Sequence, residues 1–309
     1  MTDRLDDMAA FAAVAQAGGF TAAALRLDMS KSRLSRQVSA LEARLGVRLL
    51  HRTTRAIALT DAGTAYLAHA ARLLEDLAEA EDAVRSLGGA LAGTIRIAAP
   101  LTFGVDHVAP ALLRFMAAHP AVLVDASFDD RRVDLVAGGF DLAIRMGPRM
   151  VDSGLVVRTL ADLRSVIVGS PVLLDSIGRP QRLDDLAHFP CLVYANRPAD
   201  DQWRFDTSDG TRVVRGPERL RADNGMVLAE AAAAGFGLAL LPIFIVGPLI
   251  CAGQLEIILP DQALPRGEMR LVYPPGRQRS TKVRALADHL AEAFRGAPWE
   301  RDIPLPAYP

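Results

Sequence analysis

The feature that most constrains this chain is a run of three short helical patterns that ends at Leu45. Apolar residues recur at helical spacing over residues 4–17. A second helix is predicted over Ala22–Leu27, with Thr21 as its cap, and a third runs from a Ser30 cap to Leu45. Two short helices joined by a tight turn, the second of them basic, form a helix-turn-helix.

The third helix has one apolar face and one polar face. Its predicted buried face is formed by Leu34, Val38, Leu41 and Leu45. Its exposed face carries hydrogen-bonding side chains, which are Lys31, Ser32, Arg33, Ser35, Arg36 and Gln37. Such side chains suit contacts with phosphates and base edges in a DNA major groove. The alternative for any one of them is a solvated surface side chain.

Residues 47–59 predict a second element that faces DNA. Two short strands flank the basic turn at Thr53-Thr54, which is the pattern of a wing. Arg55 at its tip suits a narrow minor groove, which attracts arginine. Residues 1–60 carry nine basic and five acidic residues, a net charge of +4, while the whole chain carries −1. A basic head on a near-neutral body predicts nucleic-acid contact at one end of the chain.

A long helix is predicted after the wing, with Thr60 as its cap and Asp61 in its first turn. Its apolar residues recur at alternating steps of four and three, at Tyr66, Ala70, Leu73, Leu77, Ala80, Val84 and Leu87. This heptad rhythm predicts a helix that pairs two subunits. The alternative is a helix that packs on its own domain. Gly88-Gly89 ends the pattern.

From Thr94 onward, strand patterns alternate with helical patterns. The predicted strands are Ile95–Ala98, Val122–Phe128, Leu142–Arg145, Ser165–Gly169, Leu238–Leu241 and Arg270–Tyr273. The predicted helices are Phe103–Ala118, Arg132–Gly138, Leu183–His188, Gly225–Gly235 and Ser280–Arg295. This alternation predicts an open α/β sheet with both faces covered. The proline-rich end, Ala297–Pro309, is predicted to be irregular.

Several classes of protein fit the sequence poorly. The uncharged stretch Ala231–Leu255 is long enough to span a bilayer, but its glycines and prolines predict a helix, a turn, a strand and a helix in a buried core instead. Cys191 and Cys251 stand apart from any metal-binding motif, and the N-terminus lacks a signal peptide, so we predict no metal site and a cytoplasmic location. The six histidines are scattered and no catalytic or cofactor-binding motif is present, so we predict neither an enzyme nor a cofactor.

Several stretches of the chain resemble the LysR-type transcriptional regulators. The N-terminal ones are Phe20-Thr21-Ala22-Ala23-Ala24, Ser35-Arg36-Gln37-Val38, Leu45-Gly46-Val47-Arg48-Leu49, Arg52-Thr53-Thr54-Arg55 and Leu59-Thr60-Asp61-Ala62-Gly63. Those of the C-terminal part are Asp141–Gly147, Ala234–Leu238 and Leu241-Pro242. The chain departs from the usual family residues at Gly19, Leu50, Lys31 and Arg33. The last two put the DNA sequence preference in doubt, but not DNA binding.

The resemblance implies an α/β protein with a winged helix-turn-helix head of all-α type. Residues 1–59 would bind DNA and residues 60–89 would form the linker helix. Residues 90–309 would form an effector domain similar to periplasmic binding proteins, with lobe I over 90–163 and 268–300 and lobe II over 164–267. The two crossings between the lobes would fall near Arg164–Gly169 and Gly267–Val272. The implied partners are double-stranded promoter DNA, a small-molecule effector and further copies of the chain in a homodimer or homotetramer, with no membrane.

The resemblance also assigns DNA contacts by position. Base reading goes to Lys31, Arg33 and Arg36. Contacts with phosphates or with the groove at the wing go to Ser32, Ser35, Arg52, Thr54 and Arg55.

The loop after the first effector-domain strand, Pro100-Leu101-Thr102-Phe103, leads into a helix. Free N–H groups at a helix start favour an anion, so we predict a small carboxylate as the effector. By resemblance, the cleft is also lined by Arg145, Met146, Asn196, Trp203, Asn224 and Gly225. Thr102 as an ordinary helix cap, Trp203 as a core residue and Arg145 as a partner of Asp141 or Asp129 are the alternatives.

Two other functions compete with a ligand-responsive regulator. A solute-binding protein of the periplasmic type, without gene control, would explain residues 91–296 equally well, but not residues 1–60 or the missing export signal. An enzyme with an accessory DNA-binding domain would need a catalytic motif that the sequence lacks.

Overall fold

The computed structural model describes residues 4–52, 57–86, 91–136, 138–148, 154–196, 203–207, 210–260, 264, 267–301 and 303. Its N-terminal unit contains helices α1 Arg4–Ala17, α2 Phe20–Arg26 and α3 Lys31–Leu45, followed by strands β1 Leu50–Arg52 and β2 Ile57–Leu59. The two strands pair antiparallel, with Leu50 opposite Leu59. The prediction of a winged helix-turn-helix is confirmed.

The core of this unit is small and apolar. Phe11 of α1, Ala23 of α2 and Leu34, Val38 and Leu41 of α3 are fully buried against one another. Burial of this stripe fixes which face of α3 is left for solvent.

Two details of the helix-turn-helix prediction are wrong. Helix α2 begins at Phe20, whose ring packs on the core, so Thr21 lies inside the first turn and does not cap the helix. Leu45 was predicted to be buried but is 42% exposed, because it is the last residue before the left-handed cap at Gly46.

Helix α4, Asp61–Ser86, follows the wing as predicted. The Thr60 hydroxyl accepts a hydrogen bond from Gly63 N at 2.9 Å and donates one to Arg48 O at 2.8 Å. The predicted cap therefore also attaches the helix to the strand side of the N-terminal unit. Tyr66 packs edge-on against Phe11, with ring centroids 5.6 Å apart.

The C-terminal part contains two five-stranded sheets. Lobe I has the strand order β4-β3-β5-β14-β6. Its strands are β3 Gly93–Ala99, β4 Val122–Phe128, β5 Leu142–Pro148, β6 Val156–Leu163 and β14 Gly267–Tyr273. Its helices are α5 Leu101–Phe103, a π turn Gly104–Val108, α6 Ala109–Ala118 and α10 Thr281–Ala293.

Lobe II has the strand order β11-β8-β12-β7-β13. Its strands are β7 Ser165–Gly169, β8 Cys191–Tyr194, β11 Glu218–Ala222, β12 Leu238–Pro242 and β13 Glu256–Ile258. Its helices are α7 Pro171–Ile177, a 3-10 turn Leu183–His188, α8 Gly225–Ala233 and α9 Ile243–Cys251, and a hairpin is formed by β9 Arg204–Thr207 and β10 Gly210–Val213.

The predicted open α/β sheet is thus two sheets of mixed direction. In lobe I, β3 pairs parallel with β4 and β5, whereas β14 runs antiparallel between β5 and β6. In lobe II, β8 pairs parallel with β11 and β12, and β7 runs antiparallel to β12. The first crossing between the lobes lies at Arg164, between β6 and β7. Gly267–Val272, predicted as the second crossing, lies inside β14, so that crossing precedes it.

The predicted helix Arg132–Gly138 is wrong. The described part of this segment contains bends and turns, in which Asp134 Oδ1 accepts from Val136 N at 3.0 Å. A carboxylate that binds the backbone two residues ahead favours a turn over a helix. By contrast, the uncharged stretch Ala231–Leu255 contains the end of α8, then β12 and α9, as predicted.

In the part of the chain that the structure describes, no single helix is long and apolar enough to cross a membrane. Helices α1 and α2 reach that length and hydropathy together, but they meet at 118°.

Candidate functional sites

Helix α3 presents a cationic face to solvent. Lys31, Arg33 and Arg36 are exposed, as predicted. The Ser30 hydroxyl caps the helix by accepting from Arg33 N at 3.3 Å, and Arg36 Nε lies 3.4 Å from Ser32 O. The start of the helix, where these side chains project, is therefore held in place by its own cap.

The predicted polar face is not uniformly open. Lys31, Ser32, Arg33 and Arg36 are exposed, whereas Ser35 and Gln37 are half-buried. Ser35 follows the buried Leu34, and Gln37 precedes the buried Val38. The freely available surface for DNA is thus the first turn of α3 together with Arg36.

Glu42 links this helix to the wing. Its side chain is buried, and its Oε1 accepts from Leu49 N at 2.9 Å and from Leu50 N at 3.1 Å. The carboxylate therefore fixes the angle between α3 and β1. An acidic residue on a cationic DNA-facing helix looks unfavourable in sequence, and nothing in the sequence alone indicated this role.

The wing is described only in part. Arg52 ends β1 opposite Ile57 of β2. Thr54 and Arg55, predicted for the phosphates or the wing groove, lie outside the described residues.

The predicted effector loop starts at the carboxyl end of β3. Pro100 occupies the N-cap position of α5, so Thr102 lies within the first turn and is not the cap. Thr102 is buried to nine-tenths, and Leu101 is exposed. Phe103 is fully buried in the core rather than open to a cleft.

Two acidic residues that the sequence analysis missed lie at the same edge. Asp130, which follows β4, accepts from Leu101 N at 2.9 Å with its Oδ1. Burial raises the pKa of Asp130 above its ordinary value of 3.8, the N–H of Leu101 opposes that rise, and the charges of Asp129 and Asp223 add to it. Asp223 follows β11 of lobe II, so this influence places the two lobes close together here.

The sequence signal for these residues was their position after predicted parallel strands. In an open α/β sheet, ligands bind outside the carboxyl ends of the strands, and Asp130 and Asp223 both lie at such ends.

Lobe II contributes a polar group beside Asp223. Asn196 Nδ2 donates to Asp223 O at 3.2 Å and lies 3.3 Å from the Tyr194 hydroxyl. Asn224 Oδ1 accepts from Met226 N at 2.8 Å, which makes Asn224 the cap of α8. Gly225 is buried, and a Cβ there would lie 2.5 Å from Ile245 Cδ1, so its smallness serves packing.

The remaining predicted effector residues lie elsewhere. Arg145 and Met146 are neighbours in β5, and strand alternation points them to opposite faces of the sheet. Met146 packs on the main core, whereas Arg145 Nη2 donates to Val133 O at 3.2 Å. Trp203 is buried in a separate lobe II core with Phe205, as its core alternative predicted.

Two family profiles match this chain. "Bacterial regulatory helix-turn-helix protein, lysR family" covers residues 5–64, and "LysR substrate binding domain" covers residues 88–295. The HTH-type transcriptional regulator PtxR of Pseudomonas aeruginosa is 36% identical over 296 residues, which is 96% of this chain and 94% of PtxR. The HTH-type transcriptional regulator DmlR of Escherichia coli is 32% identical over 291 residues, which is 94% of both chains.

Solved structures agree with these sequence matches. The LysR-type regulator CrgA of Neisseria meningitidis superimposes with a TM-score of 0.60 at 27% identity, covering 96% of this chain and 100% of CrgA. The full-length virulence activator AphB of Vibrio cholerae gives 0.58 at 26% identity, covering 94% of this chain and 99% of AphB. With an N-terminal helix-turn-helix and a two-lobed α/β domain matched along nearly its whole length, this chain belongs to the LysR family of bacterial transcriptional regulators.

Proposed function

We propose that this protein reads promoter DNA with the first turn of α3 and Arg36, and that a small molecule bound between the lobes changes that binding. The observation that carries the DNA-binding part is the capped, exposed cationic start of α3, held to the wing by the buried Glu42. The proposal contains no catalytic step. A regulator of this kind works on chromosomal DNA, which supports a cytoplasmic location.

The test is fluorescence anisotropy of the full-length protein with DNA from upstream of its own gene, at several salt concentrations. Arg33→Ala should relax specificity by about 1–3 kcal/mol at one base pair, if Arg33 reads a base. An equal loss on all sequences would instead make Arg33 a phosphate contact. Arg114→Ala, which removes an exposed arginine from α6, is the charge-matched control and should leave binding unchanged. Indifference of the wild type to every duplex at low salt would refute the proposal.

Helix α4 supports a proposal of dimerisation. Tyr66 packs on the N-terminal unit and Ala70 is buried, but further along the heptad Leu73 is 52% exposed and Leu77 is 39% exposed. Such a stripe is buried when two helices pair. Replacing both leucines with serine should shift sedimentation toward the monomer, whereas Leu113→Ser, at an exposed leucine of lobe I, should not. An unchanged oligomer would show that α4 is not the interface.

For the effector, the prediction of a carboxylate needs a change. It depended on free N–H groups at Leu101, and the Leu101 N–H is already bound by Asp130. An anion placed here would also meet the charges of Asp129 and Asp223, and a like charge about 4 Å away costs roughly 4 kcal/mol at an effective dielectric constant near 20. We therefore propose that the effector presents a neutral or cationic donor to this edge of the cleft.

Calorimetry with matched panels of carboxylates, amides and amines tests this choice. Binding confined to amides or amines supports it. Binding confined to carboxylates would restore the original prediction, and its weakening by Arg145→Met would identify the cation used. DNA binding without effector is measured separately, so failure of either part is distinguishable.

A further inference from the structure

The two lobes meet through aromatic rings as well as through their covalent crossings. Phe103 of α5 belongs to lobe I and Phe244 of α9 belongs to lobe II, and their ring centroids lie 5.1 Å apart in an edge-to-face arrangement. Both side chains are buried, Phe103 fully and Phe244 to 8% exposure. Rotation of one lobe against the other has to change this contact, because packed interiors leave no free space for it.

A segment from the C-terminal end completes the same cluster. Phe294 follows α10, and Trp299 lies in the 3-10 turn Pro298–Glu300. The Phe103 centroid lies 5.3 Å from that of Phe294 and 5.0 Å from that of Trp299. His107 of the π turn adds a ring 5.4 Å from Trp299. We call residues 294–301 and 303 the strap.

The path of the strap leads from lobe I to lobe II. After α10, Gly296 and Ala297 both adopt left-handed backbone angles, with φ of 70° and 45°. A left-handed alanine is strained, so surrounding contacts must hold the reversal in place. The chain then reaches α9, where a Cβ on Gly247 would lie 2.2 Å from Ile303 Cδ1. Ile303 therefore contacts the α9 backbone at a distance that glycine alone permits.

The strap also contacts the first crossing between the lobes. Arg164, between β6 and β7, lies 4.0 Å from Glu300 Oε2. Burial raises the pKa of Glu300, and the charge of Arg164 opposes that rise. One short segment thus contacts lobe I, the crossing and lobe II.

The docked strap leaves one polar group unsatisfied. Trp299 Nε1 is buried and has no hydrogen-bond partner within the described residues. Water would satisfy this donor if the strap were released, so release regains a hydrogen bond while it loses apolar contacts. Opposing contributions of this kind are what a two-state element requires.

From these contacts we propose that the strap clamps the two lobes together and limits their rotation, and that its release belongs to the conformational response of the protein. The inference goes beyond DNA reading and effector choice, and its test needs neither ligand. Gly247→Ala should expel Ile303 from α9, since the added methyl group has no room. Gly247→Ala combined with Ile303→Ala should restore docking, because the second change removes the clashing side chain.

Two measurements on the full-length protein follow the strap and the lobes separately. Hydrogen exchange by mass spectrometry should show amides of 297–301 exchanging roughly tenfold faster or more in Gly247→Ala. Pulsed dipolar spectroscopy between spin labels at Leu113→Cys and Val172→Cys, both exposed positions on opposite lobes, should show a broader distance distribution. Cys251→Ser removes the exposed native thiol. Both changes should revert in the double variant.

Trp299→Ala provides a second route that leaves α9 intact, and it should broaden the same distribution. Faster exchange in the strap with unchanged lobe distances would overturn the proposal, as would lobe distances that fail to revert when Ile303→Ala is added. Unchanged exchange in the strap of Gly247→Ala would likewise overturn the docking on which the proposal depends.

Discussion

Glu42→Ala is the substitution that most directly tests how α3 is fixed against the wing. Glu42 Oε1 accepts from Leu49 N and Leu50 N at 2.9 and 3.1 Å, and both leucines are almost completely buried. Alanine removes the acceptor and leaves two buried donors unpaired. Each costs about 1–3 kcal/mol, so the local loss is roughly 2–6 kcal/mol.

Glu42→Gln is the matched control. Its amide oxygen can accept both hydrogen bonds, so the loss should be confined to charge assistance, about 1 kcal/mol. The second oxygen, Oε2, contributes little because Arg48 Nη1 is 4.0 Å away and that side chain is 75% exposed.

Hydrogen exchange of amides 49 and 50 in the full-length protein measures these effects without assuming that all domains unfold together. A loss near 3 kcal/mol corresponds to exchange faster by roughly a hundredfold. DNA affinity should fall in Glu42→Ala and be largely kept in Glu42→Gln. Equal exchange in Glu42→Ala and the wild type would refute the reasoning, because it would mean that the two donors do not depend on this carboxylate.

Two further substitutions test other contacts. Gly63→Ala should destabilise the junction between the wing and α4 by about 3 kcal/mol or more, since its Cβ would lie 2.0 Å from Leu49 O, whereas Gly19→Ala, which has open space, should cost less than about 1 kcal/mol; thermal unfolding of both variants decides, and equal losses would count against the clash. Asp130→Asn should flatten the pH dependence of stability, because the raised pKa of Asp130 makes the wild type gain stability as pH falls from the folded pKa toward the unfolded value of 3.8; urea unfolding between pH 7 and about pH 4 measures this gain, and a parallel pH profile in both proteins would contradict it.

The helical head could be read from sequence because its determinants are local. The buried stripe of α3 and the caps at Ser30 and Thr60 are set by residues within one or two turns, and all three are found in the structure. The error at Arg132–Gly138 has the same origin, since a short helical period there was outweighed by the turn at Asp134. Tertiary packing decided the start of α2, because Phe20 joins the helix in order to bury its ring.

Several strands could not be found because their signals depend on neighbours. β6 carries Arg158 and Asp162 and lies at a sheet edge with its side chains largely exposed, so it lacks the apolar alternation of a strand. β8 has four residues, Cys191–Tyr194, and acquires its strand character by pairing with β11 and β12. In both cases the partner that defines the strand is distant in the chain.

The effector prediction failed in part for a related reason, and this has consequences for how the cleft is understood. A helix start was predicted to offer free donors to an anionic ligand, but a carboxylate 29 residues further along, Asp130, already accepts from Leu101 N. The protein thus satisfies its own helix end and surrounds it with negative charge from Asp129 and Asp223. Because a carboxylate that is already hydrogen-bonded can still accept from a ligand, the same group that excludes an anion can receive a donor. The chemistry of this edge of the cleft is therefore reversed relative to the prediction from the isolated loop, and the ligand panel with the Asp130→Asn variant measures that reversal directly.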